Sequence, residues 1–195
     1  MVKRRDRRVH RTQQLLRNAL FPLIQEKGFE SLSVQDIIDR ADVGRATFYA
    51  HFDNKEDLLL SGFEDLRALL KDRQRQALSH GTSVEERIFG FSHEMLTHVN
   101  EHRHLFQAMV GKSSGAMIQS VIHKLLVDLL RDDVKAMSTR KGDRSIPTEA
   151  LVEFIAGGLF GMMKGWLGGK VRLSVEELNA LFRRLAIPAV RSAFP

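Results

Sequence analysis

Cysteine is absent from this chain of 195 residues. That excludes disulfides, thiolate zinc sites and a cysteine nucleophile, and it suits a reducing compartment. Proline is scarce, at four residues, and tryptophan and tyrosine occur once each. Few prolines beside abundant Leu, Ala, Arg and Glu point to an all-helical protein. No apolar run approaches the roughly 20 residues that cross a bilayer, and the basic N-terminus leads into no signal-peptide core. The expected location is the cytoplasm, with no membrane partner. No serine stands in a nucleophile-elbow context, and the carboxylates scatter as solvated faces do. Neither catalysis nor a cofactor is expected. Gly111-Lys112-Ser113 has the end of a phosphate-binding loop, but Phe106 replaces the earlier glycine and no strand precedes it, which excludes a nucleotide site.

Hydrophobic residues make up 43% of the chain, enough for a packed core. The net charge of +6 is concentrated at one end: Lys3, Arg4, Arg5, Arg7, Arg8 and Arg11 stand against Asp6 alone. Residues 1–11 read as a flexible basic arm. Such an arm can lie along phosphates or enter a minor groove, and it can equally be a solubilising tail.

The stretch Ser33–Phe52, SVQDIIDRADVGRATFYAHF, reads as two short helices joined by a tight turn. Ser33 and Asp36 have capping-box spacing. Val34, Ile37, Ile38 and Ala41 recur at helical spacing, and Asp42-Val43-Gly44 breaks the pattern, with Gly44 suited to the turn. The second helix, Arg45 to His51, is too short to stand alone and must be held through Val43, Phe48 and Phe52. Arg45, Ala46, Thr47, Tyr49 and His51 are then left outward, in a form that a DNA major groove accepts. On spacing alone, an ordinary helical hairpin with a polar outer face fits as well.

Thr47-Phe48-Tyr49-x-His51-Phe52, followed by Asn54-Lys55-Glu56-x-Leu58, closely resembles the recognition-helix signature of the TetR family of transcriptional regulators. The resemblance spans about Arg11 to Leu66 and fades beyond. It implies that Arg45, Ala46, Thr47 and Tyr49 meet bases or adjacent phosphates. It also implies that Ser33, His51 and Lys55 hold the DNA backbone, Lys55 helped by a positive helix N-terminus. Gly44 departs from the serine or asparagine often found there, so one phosphate contact of the family is in doubt.

A first helix is expected from about Thr12 to Lys27, with Leu15, Leu16, Ala19, Leu20, Leu23 and Ile24 on its apolar face. Pro22 should bend it and Gly28 end it. Asn54 and Asp57 cap a fourth helix that starts at Lys55. Ser83-x-x-Glu86 opens a fifth, to about Glu101, and Arg103 to Val110 forms a sixth. A seventh spans about Ala116 to Met137, residues 138–147 read as an exposed loop, and the most apolar helix spans Thr148 to Leu167. Ser174-x-x-Glu177 opens the last.

Gly157, Gly161 and Gly165, with Gly158 beside them, share a face of the Thr148–Leu167 helix. Small residues at this spacing permit close helix approach, either within one subunit or between two. The family resemblance implies the second, because such regulators pair their last two long helices in a dimer. The dimer candidates are Phe154, Gly157, Gly158, Gly161, Gly165, Leu178, Leu181, Phe182 and Leu185. Phe91, Met95, Phe106, Met109, Met117, Val121, Phe160, Met163 and Trp166 read residue by residue as core. The resemblance implies a cavity among them for a small apolar ligand, and methionine and aromatic walls suit an adaptable pocket. His93, His98, His102 and His104 cluster, and His98 and His102, spaced i, i+4 with Glu94 and Glu101 near, have a spacing that a metal site could use, but no metalloprotease signature accompanies them. They are expected to be solvated or capping, with no metal assigned.

The expected protein is all-α, with about nine helices: a basic arm over 1–11, a three-helix DNA-binding domain over 12–54 with its helix-turn-helix at 33–52, and a regulatory domain for ligand and dimerisation over 55–195. It would act as a homodimeric repressor on a palindromic operator in double-stranded DNA, controlled by a small effector. The alternative is a helical sensor that works through a protein partner and binds DNA weakly.

Overall fold

The computed structural model describes residues 2–79, 88–110, 115–137 and 146–193. Among them the chain is all-helical, with nine helices and no strand. These are α1 (Val2–Lys27), α2 (Val34–Ala41), α3 (Arg45–Tyr49), α4 (Lys55–Ser79), α5 (Ser92–Glu101), α6 (Arg103–Val110), α7 (Gly115–Met137), α8 (Thr148–Leu167) and α9 (Val175–Ala193). The chain divides into two compact units. One holds Met1–Leu66 and His104–Ile118, and the other holds Arg67–Arg103 and Gln119–Pro195.

In the first unit, α1 does not begin at Thr12. The helix runs from Val2, so the basic stretch read as a flexible arm continues it. Arginine and lysine are good helix formers, which permits the extension. Thr12 is mid-helix, and its hydroxyl donates back to the Arg8 carbonyl at 3.0 Å, as helical threonines do. α1 also passes through Pro22 without a break. The carbonyl that loses its N–H partner there belongs to Asn18, which is exposed to water. Leu16, Ala19, Leu20, Leu23 and Ile24 are buried as expected, whereas Leu15 is exposed. Gly28 ends the helix at φ +77°, where a side chain would be strained.

Ion pairs join α1 to its neighbours around its buried apolar face. The Arg40 guanidinium meets Glu26 through two bonds of 3.2 and 2.7 Å, and Lys27 meets Asp36 at 2.6 Å. Arg17 is buried and reaches Asp65 of α4 at 2.8 Å. A Cβ at Gly62 would lie 3.3 Å from the Phe21 ring, so α4 approaches α1 closely at that point.

In the second unit, the Ser83/Glu86 capping box lies outside the described residues. Among those described, Ile88 is helical, a turn follows over Phe89–Phe91, and α5 starts at Ser92. The turn contains Gly90, a poor helix former. It is closed by the Ser92 amide on the Phe89 carbonyl at 3.0 Å. The buried Ser92 Oγ lies 2.8 Å from the same carbonyl and 2.6 Å from Asn179 Oδ1 of α9. The Ser174 hydroxyl and Glu177 carboxylate form the expected reciprocal cap of α9, at 3.1 and 2.8 Å. Residues 111–114 and 138–145 lie outside the described residues.

α8 corrects one expectation. It is 20 residues long, with a window of mean hydropathy 1.3, enough by length and composition to cross a membrane. A core helix passes the same test, and Leu151, Val152, Ile155, Leu159, Met163 and Trp166 are buried in the protein.

Candidate nucleic-acid interface

The helix-turn-helix is built from local bonds. Ser33 Oγ accepts from the Asp36 amide at 3.1 Å, and the Asp36 carboxylate accepts from the Ser33 amide at 2.9 Å. Asp36 is held well below the ordinary carboxylate range, first by the Lys27 bond and then by Ser33. At the other end of α2 the left-handed residue is Asp42, at φ 52° and ψ 48°. Gly44 is not the special residue of this turn. Its φ of −71° and ψ of 150° are ordinary extended values, and it is the N-cap of α3 without a side-chain bond. The Val43 amide reaches back to the Ile38 carbonyl at 3.1 Å, closing the turn as αL helix ends do.

α3 is five residues long, shorter than the expected Arg45–His51. Its inner side is Phe48, which is fully buried and 6.0 Å ring to ring from the buried Phe52. Its outer side carries Arg45, Ala46 and Tyr49, all exposed, while Thr47 and His51 are half-buried. The Arg45 guanidinium lies 5.6 Å from the Tyr49 ring centre, and that ring meets the Phe48 ring edge-on at 5.3 Å. Arg45 also points toward Gln35 Oε1 of α2, at 3.5 Å. Gln35 in turn donates to Asp39 at 2.7 Å. Gln35 was not among the expected site residues, and its i, i+4 relation to Asp39 was the available signal.

Two expected backbone contacts have other partners here. The Ser33 hydroxyl is engaged by Asp36, to which it also donates at 2.6 Å. The Lys55 ammonium donates to the carbonyls of Phe29, Glu30 and Leu32 at 2.9, 3.1 and 2.7 Å and lies 4.8 Å from the centre of the Phe29 ring. All three of its N–H donors are used in holding the α1–α2 loop. A sequence pattern that names a lysine at a helix start does not reveal this, because the loop carbonyls are more than twenty positions away.

The predicted dimer residues separate into two groups. Phe154 and Leu185 are 65% and 59% exposed, and an added Cβ at Gly157, Gly158 or Gly161 would meet nothing within 4 Å beyond its own stretch of helix. Leu181 is half-buried, as is Gly165, which faces Val171 at 3.5 Å. Leu178 and Phe182 are corrected: both are buried inside the protomer, Phe182 edge-on to Phe89 at 5.2 Å. They belong to the inner stripe of α9, one position off the outer one.

The proposed ligand set divides between the units. Phe91, Met95, Met163 and Trp166 are buried, and Val121 and Phe160 half-buried, in the second. Phe106, buried, and Met117, half-buried, belong to the first. The side chain of Met109 lies outside the described residues. The Trp166 indole donates to the Leu173 carbonyl at 2.8 Å, and its ring lies 4.3 Å from the Arg103 guanidinium. Among the clustered histidines, burial and then His102 push the His98 imidazole down to about 4.

Comparison with known families decides the assignment. The model described as "Bacterial regulatory proteins, tetR family" matches residues 16–61, and "Transcriptional regulator C-terminal region" matches residues 86–187, more than half of the chain. The chain belongs to the TetR family of transcriptional regulators. It carries that family's DNA-binding helix-turn-helix, and the residues at its outer face are those just described. An uncharacterized regulator of Bacillus subtilis, YxbF, is 41% identical over 58 residues, 29% of this chain and 15% of the relative. The dhaKLM operon transcriptional activator DhaS of Lactococcus lactis is 39% identical over 62 residues, 31% of this chain and 33% of the relative. The matches thus cover a third or less of these relatives. The fold likeness extends further. A TetR-family regulator from Syntrophomonas wolfei superposes with a TM-score of 0.77 at 17% identity, over 93% of this chain and 96% of that one. The Thermus thermophilus repressor FadR, in complex with lauroyl-CoA, does so with a TM-score of 0.67 at 19% identity, over 91% and 94%.

Proposed function

We propose that this TetR-family protein is a homodimeric repressor that binds a palindromic operator in double-stranded DNA and leaves it when a small apolar effector binds. The observation that carries the DNA contact is the exposed Arg45–Tyr49 pair, on a helix whose inner residue Phe48 is fully buried. Arg45, Ala46, Thr47 and Tyr49 meet base edges or adjacent phosphates in the major groove, and Ser33 and His51 hold the backbone. Lys55 serves this contact as a positioning residue, through the loop it holds.

A five-residue helix reads few base pairs, so two copies on a two-fold axis read an inverted repeat. The exposed side of α8 and α9, with Phe154, Gly157, Gly158, Gly161 and Leu185, supplies a face for that pairing. The effector contacts the methionine and aromatic side chains of the second unit, such as Phe160 and Met163. It favours a spacing of the two recognition helices that mismatches the half-sites. Compounds carrying an apolar acyl chain are the first to try, because the Thermus protein is bound to lauroyl-CoA. In this proposal residues 12–54 serve DNA, with the basic residues of 1–11 beside them, and residues 55–195 serve effector and dimer. The protein acts in the cytoplasm, without enzymatic activity.

Selection of bound sequences from a random DNA pool tests the proposal. The expected product is an inverted repeat whose binding survives competitor DNA and weakens with the effector. A pool that converges on no sequence overturns it and favours a sensor with another output.

A further inference from the structure

Three side chains at the end of α5 have no part in the function proposed above. His98, Glu101 and His102 each bring one potential donor atom to within 4.8 Å of the other two. Spacing of three and four residues places them on one face of the last helical turn, with His102 as the C-cap. The imidazole rings are stacked, with centroids 4.3 Å apart and planes inclined by 30°. His102 Nδ1 lies 3.0 Å from the His98 carbonyl oxygen. A carbonyl only accepts, so Nδ1 carries the proton and donates, and Nε2 keeps its lone pair. Such an outer bond fixes tautomer and ring orientation in metal-ligating histidines. The carbonyl ends of the helix add partial negative charge, which favours a cation.

We propose that His98, Glu101 and His102 form a binding site for a divalent transition-metal ion of the zinc type, held by two imidazole nitrogens and one carboxylate oxygen. Three protein ligands leave a further position for water or another donor. Nitrogen donors select against magnesium and calcium, which take oxygen ligands. Tetrahedral bonds of about 2.1 Å place donors about 3.4 Å apart, so no pair starting within 4.8 Å has to close by more than about 1.4 Å. Glu101 is exposed, and rotation of its side chain covers much of that distance. Arg103, the next cation along the chain, is engaged elsewhere: it donates to the Trp166 carbonyl at 3.2 Å and to Asn100 Oδ1 at 3.3 Å. The site lies within the second unit and is independent of the reading of α3.

The test uses the full-length protein after treatment with a chelator. Zn²⁺ is titrated by calorimetry and Co²⁺ by visible absorption. The expected result is one ion per chain, with a cobalt band stronger than that of the aqueous ion. His98→Ala, His102→Ala and Glu101→Gln should each weaken binding by more than about tenfold, since loss of an outer partner alone can cost that much. Glu101→Gln changes an exposed side chain, and circular dichroism without metal checks that each variant is folded. His93→Ala, on the same helix but directed to Glu176 at 4.0 Å, should bind as the wild type does. No saturable Zn²⁺ binding by the wild type overturns the proposal. So does binding that Glu101→Gln and His102→Ala leave unchanged.

Discussion

The Arg45 guanidinium lies 5.6 Å from the centre of the Tyr49 ring, and both side chains stand at the exposed face of α3. Four residues apart on a short helix, they form a paired cation and aromatic surface whose position is set by Phe48 underneath. Tyr49 is 46% exposed, so its ring is only partly supported from below and is available to a groove.

Arg45→Ala and Tyr49→Ala should each weaken operator binding by about 1–3 kcal/mol, the range of a good base contact. Thermal unfolding should be almost unchanged, because neither side chain is in the core. Fluorescence anisotropy at several salt concentrations checks this. A drop of about one unit in the salt slope for Arg45→Ala would assign its contact to a phosphate. Full operator affinity in a folded, dimeric variant would remove both residues from the interface.

Lys55→Met should act differently. It keeps an apolar stem beside Phe29 but leaves three loop carbonyls without their shared donor. The expected loss is about 1–3 kcal/mol of stability, measured by denaturant unfolding. Operator affinity should fall as well, in proportion to the disorder of the α1–α2 loop. A variant of unchanged stability that still binds DNA poorly would return Lys55 to the role of a direct phosphate contact.

Asp36 makes stability depend on pH in the acid range. Its folded carboxyl titrates below the unfolded value of about 3.9, because Lys27 and Ser33 bond to the ionised form. The stabilisation is therefore complete above that unfolded value and is lost as pH falls below it. Melting temperatures between pH 7 and pH 3 should drop less steeply at the acid end for Asp36→Asn. Parallel curves would show that this carboxylate does not contribute.

The two faces of α9 and the outer side of α8 give a paired prediction. Phe182→Ala should destabilise the protomer by about 3–5 kcal/mol, as truncation of a buried ring does; Phe182 is 2% exposed. Leu185→Glu and Phe154→Glu should leave the helical content intact and shift sedimentation from dimer to monomer. A monomeric wild type, or a dimer indifferent to both charges, would dissociate the exposed face from assembly.

The sequence by itself determined the class of the protein and the first cap and inner residue of its helix-turn-helix, while the left-handed turn residue proved to be Asp42 and not Gly44. Ser33 with Asp36, Asn54 with Asp57 and Ser174 with Glu177 are partners three residues apart, and bonds of that range depend on little beyond local backbone geometry. The burial of Phe48 followed in the same way from an apolar residue on a helix too short to stand alone. Tertiary structure decided what local patterns leave open. A basic run is compatible with coil or helix, and α1 takes it as helix from Val2. An amphipathic helix does not state which stripe its own subunit covers, so Phe182 and Leu178 faced inward while Phe154 and Leu185 did not. The donors of Lys55 found carbonyls distant in sequence. His98, Glu101 and His102 had a suggestive spacing, but only the folded end of α5 shows their donor atoms converging. Contacts between distant segments depend on how helices pack, and a periodicity read along one helix carries no record of its neighbours.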